Sequence, residues 1–208
     1  MKLYKFLREK LKSEHGDMTW EIGKWYKEKD ISLCSRGFHA SKKIGQAFSH
    51  VQGELLAEVE VKGESLKEDD KQVWSEMKLN KVWKWEKKNS VAISIFSAEL
   101  CLKNFEKVYT NDKRPREAIE AAKKWIENPT EENESAVRSA TWSARSAAWS
   151  AESAARSAES AAWPAARSAE SAAWSAESAA RPAARSAVYK KIYKEFDRQF
   201  KTLKRYDK

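Results

Sequence analysis

A regular repeat in the last third of the chain constrains its fold more than any other feature. Between Arg138 and Arg185 about two thirds of the residues are Ala or Ser, and Trp or Arg recurs at steps of seven or four. These steps span 47 residues, and taking each seven as two turns and each four as one gives about 3.6 residues per turn. The four-residue steps thus correct the drift of a pure heptad repeat. The repeat predicts a long α-helix that keeps one face in line.

Two prolines interrupt this helix, and they leave two arrangements open. Pro164 and Pro182 each remove a backbone hydrogen bond and clash with the preceding turn. Because they are 18 residues apart, two kinks would bend a continuous rod toward one side. Alternatively, each proline begins a new helix, and the helices stack. The phase of the repeat is kept across both prolines, which favours the continuous, kinked rod.

On a helical wheel, the Trp, Arg and Glu side chains of the repeat form one bulky stripe, and the opposite face consists of alanines. Such a stripe packs against another element, since repeats bury their faces against neighbours, or it displays a binding surface, since Trp and Arg are enriched at interface hot spots. The repeat is therefore predicted to be an oligomerisation or docking scaffold. Its predicted partner-binding residues are Trp142, Trp149, Arg156, Trp163, Arg167 and Trp174.

Composition narrows the class of protein. The 208 residues contain no apolar run of 18, so no membrane-spanning helix is predicted. The first residues lack the apolar stretch of a signal peptide, and Cys34 and Cys101 make no disulfide framework. A cytoplasmic protein is expected, in the host cytoplasm if it is phage-encoded. Without a Cys-x-x-Cys pair or a phosphate loop, we expect no metal and no cofactor.

Most of the net charge of +9 falls after residue 134. Residues 189–206 form a basic amphipathic pattern with an apolar stripe at helical spacing. Such a helix docks on its own core, binds a partner, or touches nucleic acid or a membrane. Nucleic-acid binding rests on charge alone, because no nucleic-acid motif accompanies the tail.

The first part of the chain is predicted to be a small mixed α/β module, which makes the fold class α+β. Strands are expected over 2–7, 31–34 and 54–61, a strand or a strand pair over 73–85, and helices over 42–51, 90–105 and 115–127. Ser41 is the expected cap of the first helix, and Thr130 that of the helix beginning at Glu131. The predicted domains are the module 1–128, the repeat 129–187 and the C-terminal helix 188–208.

The most distinctive string of the module runs from Leu33 to Ser41. His39 on a strand and Ser41 at the following helix would meet at a strand-to-helix junction, where sites often form. The alternative is that Phe38 and His39 are ordinary core and edge residues. The predicted ligand-binding residues are Arg36, His39, Ser41 and Trp74, and no catalytic residue is assigned.

Several of these strings resemble a family of uncharacterised phage and bacterial proteins that often carry an Ala-rich C-terminal extension. The resemblance is carried by Tyr4 to Leu7, Trp20, Trp25, Cys34 to Ser41 and Glu58 to Gly63. It covers roughly residues 2–85. Since the family has no assigned activity, the resemblance implies no catalytic residue.

A weaker resemblance is to ADP-ribosyltransferase-like folds. The string Gly37 to Ser41, followed by Ala47 and Phe48, is similar to their Gly-Phe-Tyr-x-Thr string and the helix after it. The first-strand His or Arg of those enzymes is replaced, with Lys5 nearby. Their late catalytic Glu has three candidates by position, namely Glu58, Glu60 and Glu99.

Three functions follow as hypotheses. The first is a non-enzymatic, phage-type accessory protein with an anti-defence role, which binds and neutralises a host defence protein or a nucleotide signal and forms a homo-oligomer. The second is an NAD-using enzyme of the ADP-ribosyltransferase type. The third is nucleic-acid binding through the basic C-terminal helix, which predicts a steep loss of binding with salt.

Overall fold

The computed structural model describes residues 2–33, 35–139 and 186–206. They belong to two compact units, one made of residues 1–90 together with 193–208 and the other of residues 91–192. The strands are β1 (Leu3–Leu7), β2 (Trp25–Lys27), β3 (Phe38–Ala40), β4 (Leu55–Lys67) and β5 (Gln72–Lys84). The helices are α1 (Ile44–His50), α2 (Lys87–Val108) and α3 (Arg114–Glu127), with further helical residues at 131–139 and 186–200. Residues 186–200 are called the C-terminal helix below.

A long antiparallel hairpin of β4 and β5 is the frame of the first unit. Its register runs from Leu55 opposite Lys84 to Lys67 opposite Gln72, and it shifts at two bulges. At the second bulge Gly63 has a φ of +81°, a conformation that glycine adopts without steric cost. Successive side chains of each strand point to opposite faces, so the hairpin offers one face to each of two packing layers.

The shorter strands line the two edges of this hairpin and bring them together. β1 pairs with β4, whereas β2 and β3 both pair with β5. Beyond β3, the backbone N–H of Ser41 donates to Tyr4 O at 2.9 Å, and Tyr4 N–H donates to Ser41 O at 2.8 Å. The sheet therefore closes on itself between β1 and the end of β3.

The closed side of the sheet holds the main hydrophobic core. Its members come from every strand except β2 and from the loop after β1; they are Leu3, Leu7, Leu11, Trp20, Phe38, Ala40, Leu55, Ala57, Val59, Met77, Leu79 and Val82. Each large apolar side chain buried in this way contributes roughly 1.5–3 kcal/mol.

An aromatic layer covers the other face of the sheet. Phe6 and Trp85 meet edge to face with ring centroids 5.3 Å apart, and Phe48 of α1 lies against both. The C-terminal helix adds Phe196, which stacks on Trp85 with centroids 5.9 Å apart, and Phe200, whose ring lies edge to face on Trp83. The helix thus docks on the sheet, one of the three outcomes expected from its apolar stripe.

The residues after this helix extend the sheet. Lys84 N–H donates to Lys204 O, and Tyr206 N–H donates to Val82 O, both at 2.9 Å, so residues 204–206 pair with the end of β5. The amphipathic pattern predicts helix up to residue 206, but the helix ends at residue 200 because the chain turns to make this pairing.

In the second unit, α2 and α3 are joined by ion pairs. Arg116 of α3 donates two hydrogen bonds of 2.7 Å to Glu106 of α2, and Lys123 lies 3.0 Å from Glu99. Thr130 caps the next helix as predicted, since its hydroxyl accepts from Asn133 N–H at 3.2 Å.

The α+β class is confirmed, and so are the strands predicted at 2–7, 54–61 and 73–85. The strand predicted at 31–34 is wrong, because Ser32 and Arg36 pair across a tight turn there. The capping role of Ser41 is also wrong, since its backbone closes the sheet and α1 starts at Ile44 after Lys43. Residues 140–185, with most of the repeat and both of its prolines, lie outside the described residues.

Candidate functional site

A cleft of about 460 Å³ in the first unit is lined by all three histidines of the chain, His15, His39 and His50. We call it the histidine cleft. Its walls come from β1, the loop before Trp20, β3 with Ser41, and the end of α1. These segments are far apart in sequence and meet because the sheet closes at Tyr4 and Ser41. The site therefore depends on the closure of the sheet.

Lys5 is the most unusual residue of this cleft. It lies on the same face of β1 as Leu3 and Leu7, so its side chain is on the core side of the strand. Its Nζ lies 5.8 Å from the centre of the Trp20 ring and donates to His39 O at 3.3 Å. Burial lowers the pKa of Lys5 to about 8. Among the described residues, no carboxylate forms an ion pair with this amine.

His39 lies on β3, opposite Val73 of β5, and is half-buried. Burial lowers its pKa, and the nearby charge of Lys5 lowers it further, whereas a hydrogen bond with the backbone of Gly37 acts in the opposite direction. The ring is therefore mostly neutral at pH 7, and one of its nitrogens is engaged with the backbone of Gly37.

Ion pairs neutralise most other charges around the cleft. Glu14 pairs with Arg8, whose hydrogen bond lowers the pKa of that carboxyl. Lys71 lies 3.3 Å from Glu68, and the imidazole of His50 lies 3.2 Å from Asp70. Since Lys5 has no such partner within the described segments, its amine is the cationic centre that the cleft offers to a ligand.

The predicted ligand-binding residues divide into two pairs. His39 and Ser41 both line the cleft, and Ser41 is only 2 % exposed. Arg36 is exposed and pairs with Asp30 at 3.5 Å, outside the cleft lining. Trp74 also lies outside it, where its Nε1 donates to Gln72 and Lys67 Nζ lies 5.2 Å from its ring. The six predicted partner-binding residues of the repeat lie beyond the described segments.

Sequence reasoning placed Lys5 only near a position of the weaker resemblance and missed its place in the site. The signal was a lysine between Leu3 and Leu7 on the apolar face of an alternating strand. The partners Trp20 and His39 could not be read from the sequence, because the closure of the sheet brings them to Lys5.

Within the described segments, no group of three or more His, Cys, Asp or Glu side chains is placed to hold a metal ion. In the same segments no helix combines the length and the apolar character needed to cross a bilayer.

Residues 1–89 match a family described as a domain of unknown function (DUF7666). The match supports the predicted resemblance only as far as an uncharacterised domain family. The matched residues include the five strands, α1 and the first residues of α2. No curated protein and no solved structure gives a significant match to the chain.

Proposed function

We propose that this protein is a non-enzymatic binding protein whose histidine cleft holds a small anionic ligand of the nucleotide class. The observation that carries the proposal is the lining of the cleft. It contains the amine of Lys5, three imidazoles and the aromatic side chains of Trp20 and Phe38. Clefts of this size, mostly apolar with a few convergent polar groups, are typical of small-molecule sites.

The chemistry of the lining fits a phosphorylated base. Lys5 supplies positive charge for phosphate oxygens, and Lys71, although it lies 3.3 Å from Glu68, supplies further N–H donors, since charge-assisted hydrogen bonds are the strong ones. Neutral His39 and Ser41 supply donors and acceptors, while Tyr4, Trp20 and Phe38 supply ring surfaces for a planar base. The anti-defence role, in which the bound ligand is a host signal or a host protein is bound instead, stays a prediction from the family resemblance.

We expect isothermal titration with a panel of mono-, di- and cyclic nucleotides to give at least one saturable heat signal. Lys71→Gln should weaken this binding about 10-fold, since removing one charge-assisted contact costs about 1.4 kcal/mol or more. The matched control is Lys84→Gln, which removes an exposed lysine of β5 outside the cleft and should leave binding unchanged. Absence of binding across the panel, or equal weakening by both substitutions, would contradict the proposal.

The second candidate is an NAD-using enzyme. It is favoured by the neutral imidazole of His39 in a cleft that also contains Lys5, because perturbed pKa values cluster at functional sites. Under this hypothesis the wild-type chain consumes NAD, and His39→Ala lowers turnover about 100-fold or more while the thermal unfolding curve is unchanged. A wild-type chain that leaves NAD intact in a coupled assay rules this candidate out.

A further inference from the structure

Lys5 stands apart from the other cations of the histidine cleft in the environment of its amine. Its strand neighbours on the same face, Leu3 and Leu7, are completely buried. The amine donates one hydrogen bond, to His39 O, and lies over the Trp20 ring. The side chain nevertheless lines the cleft, so a small molecule that enters the cleft reaches it.

Such an environment changes the reactivity of an amine. Water normally stabilises the ammonium form, and Lys5, which is half-buried and has no carboxylate partner among the described residues, loses part of that stabilisation. Because the pKa of Lys5 falls to about 8, its neutral fraction at pH 7.5 is on the order of 100-fold larger than that of an ordinary lysine. Desolvation of a lysine in an apolar pocket is one way in which proteins activate this nucleophile.

We propose that Nζ of Lys5 is a nucleophilic amine that forms an imine with a small aldehyde or ketone in the histidine cleft. The nitrogen lone pair attacks the carbonyl carbon and forms a C–N bond. The nitrogen then gives up both of its protons, the carbonyl oxygen leaves as water, and a C=N bond remains. Protons move through water or through the neutral imidazole of His39. The proposal rests on the amine alone and does not depend on nucleotide binding.

The other titratable side chains of the cleft fit this chemistry. His15, His39 and His50 place three imidazole rings in the lining. The carboxylate of Glu14 pairs with Arg8, and the carboxylate of Glu68 pairs with Lys71. Neither carboxylate is paired with the Lys5 amine. Glu28, also in the lining, is exposed. Lys5 therefore combines access from the cleft with an amine that has no carboxylate partner among the described residues.

The test is reductive trapping on the full chain at pH 7.5, with two probes in substoichiometric amounts. One probe is pyridoxal 5′-phosphate and the other is benzaldehyde, which carries no charge; cyanoborohydride converts each imine to a stable amine that peptide mass spectrometry locates. With both probes we expect Lys5 to be labelled at least 10-fold faster than any exposed lysine. Labelling by pyridoxal 5′-phosphate alone would mean that phosphate attraction directs the reaction, and would overturn the proposal.

Two substitutions complete the experiment. Lys5→Arg keeps a cation but removes the nucleophile, so the dominant label should disappear, whereas Lys2→Arg removes an exposed lysine of the same segment and should leave it in place. If Lys5→Arg does not fold by circular dichroism, Lys5→Met serves in its place. Undiminished total labelling in the Lys5 variant, or label spread evenly over surface lysines, refutes the assignment.

Discussion

Residues 1–90 are not expected to fold cooperatively without residues 186–208. The C-terminal helix supplies Phe196, which is 4 % exposed and whose ring centroid lies 5.3 Å from that of Phe48 and 5.9 Å from that of Trp85. Truncating a buried Phe to Ala costs about 3–5 kcal/mol by itself. Since a domain has a total stability of only about 5–15 kcal/mol, the loss of the whole segment should leave too little to hold the sheet.

The loss extends beyond the aromatic layer. Trp83 loses its ring contact with Phe200. The buried side chain of Asn89 loses the hydrogen bond of 3.0 Å that it donates to the side chain of Gln199. The end of β5 also loses its pairing with residues 204–206. Buried polar groups without a partner cost about 1–3 kcal/mol each.

Circular dichroism and the dispersion of amide signals in NMR spectra of residues 1–90 alone measure this directly. Adding a synthetic peptide of residues 186–208 should restore the dispersed spectrum, because the peptide fills the aromatic layer in trans. In the full chain, Tyr189→Ala is the matched control for Phe196→Ala, since Tyr189 lies on the same helix but is 43 % exposed. A cooperative unfolding transition in residues 1–90 alone would contradict the prediction.

A substitution at Gly45 also tests the packing of the C-terminal helix, because the expected change in the free energy of unfolding is opposite to the usual one. Replacing a helical glycine by alanine normally stabilises a protein by up to about 1 kcal/mol. At Gly45 a Cβ would lie 2.5 Å from the Tyr193 ring and 2.9 Å from the Phe196 ring. We therefore expect Gly45→Ala to lower the free energy of unfolding, and Tyr193→Ala to relieve part of that loss in the double variant.

The sequence predicted the parts of this fold that local patterns determine. The hairpin strands alternate apolar and polar residues over long runs, and their type was clear for that reason. The strand prediction failed at residues 31–33, where Ser32 pairs locally with Arg36, and it missed β2, whose three residues give no pattern. β2 depends on pairing with distant β5, which local propensity does not encode.

Only the part of the candidate site that local sequence determines was predicted. His39 on a strand followed from its own neighbours in sequence. The meeting of Lys5, Trp20 and His39 depends on the antiparallel pair of Tyr4 and Ser41, which joins segments far apart in the chain. Ser41 was chosen for a helix cap that it does not form, yet it lines the cleft because its backbone closes the sheet.

The Lys5→Met variant is expected to have a higher free energy of unfolding than the wild type at pH 7, by up to about 3 kcal/mol. The pKa of Lys5 is about 8 in the folded chain against 10.5 for an ordinary lysine, so folding disfavours the charged form. Methionine has a similar length and needs no hydration, so it fills the space beside Trp20 without that cost.

The pH dependence fixes the sign of this effect. Below pH 8 both states of the wild type carry a protonated Lys5, and the full cost of burying the charge is present. Between pH 8 and 10.5 the unfolded chain binds more protons than the folded chain, so the stability of the wild type rises with pH. Above pH 10.5 Lys5 is neutral in both states, and the advantage of the methionine variant should have vanished.

Urea unfolding of the wild type and the variant at intervals from pH 7 to 10.5 measures this difference. Subtracting the two curves removes the titration of every other group, and Lys2→Met controls for the loss of a lysine charge, since Lys2 is exposed and pairs with Glu58 at 3.3 Å. A difference that narrows with rising pH for Lys5→Met alone assigns the shifted amine to Lys5. A difference that stays constant over this range means that Lys5 titrates like an ordinary lysine, and the activated amine would then have no physical basis.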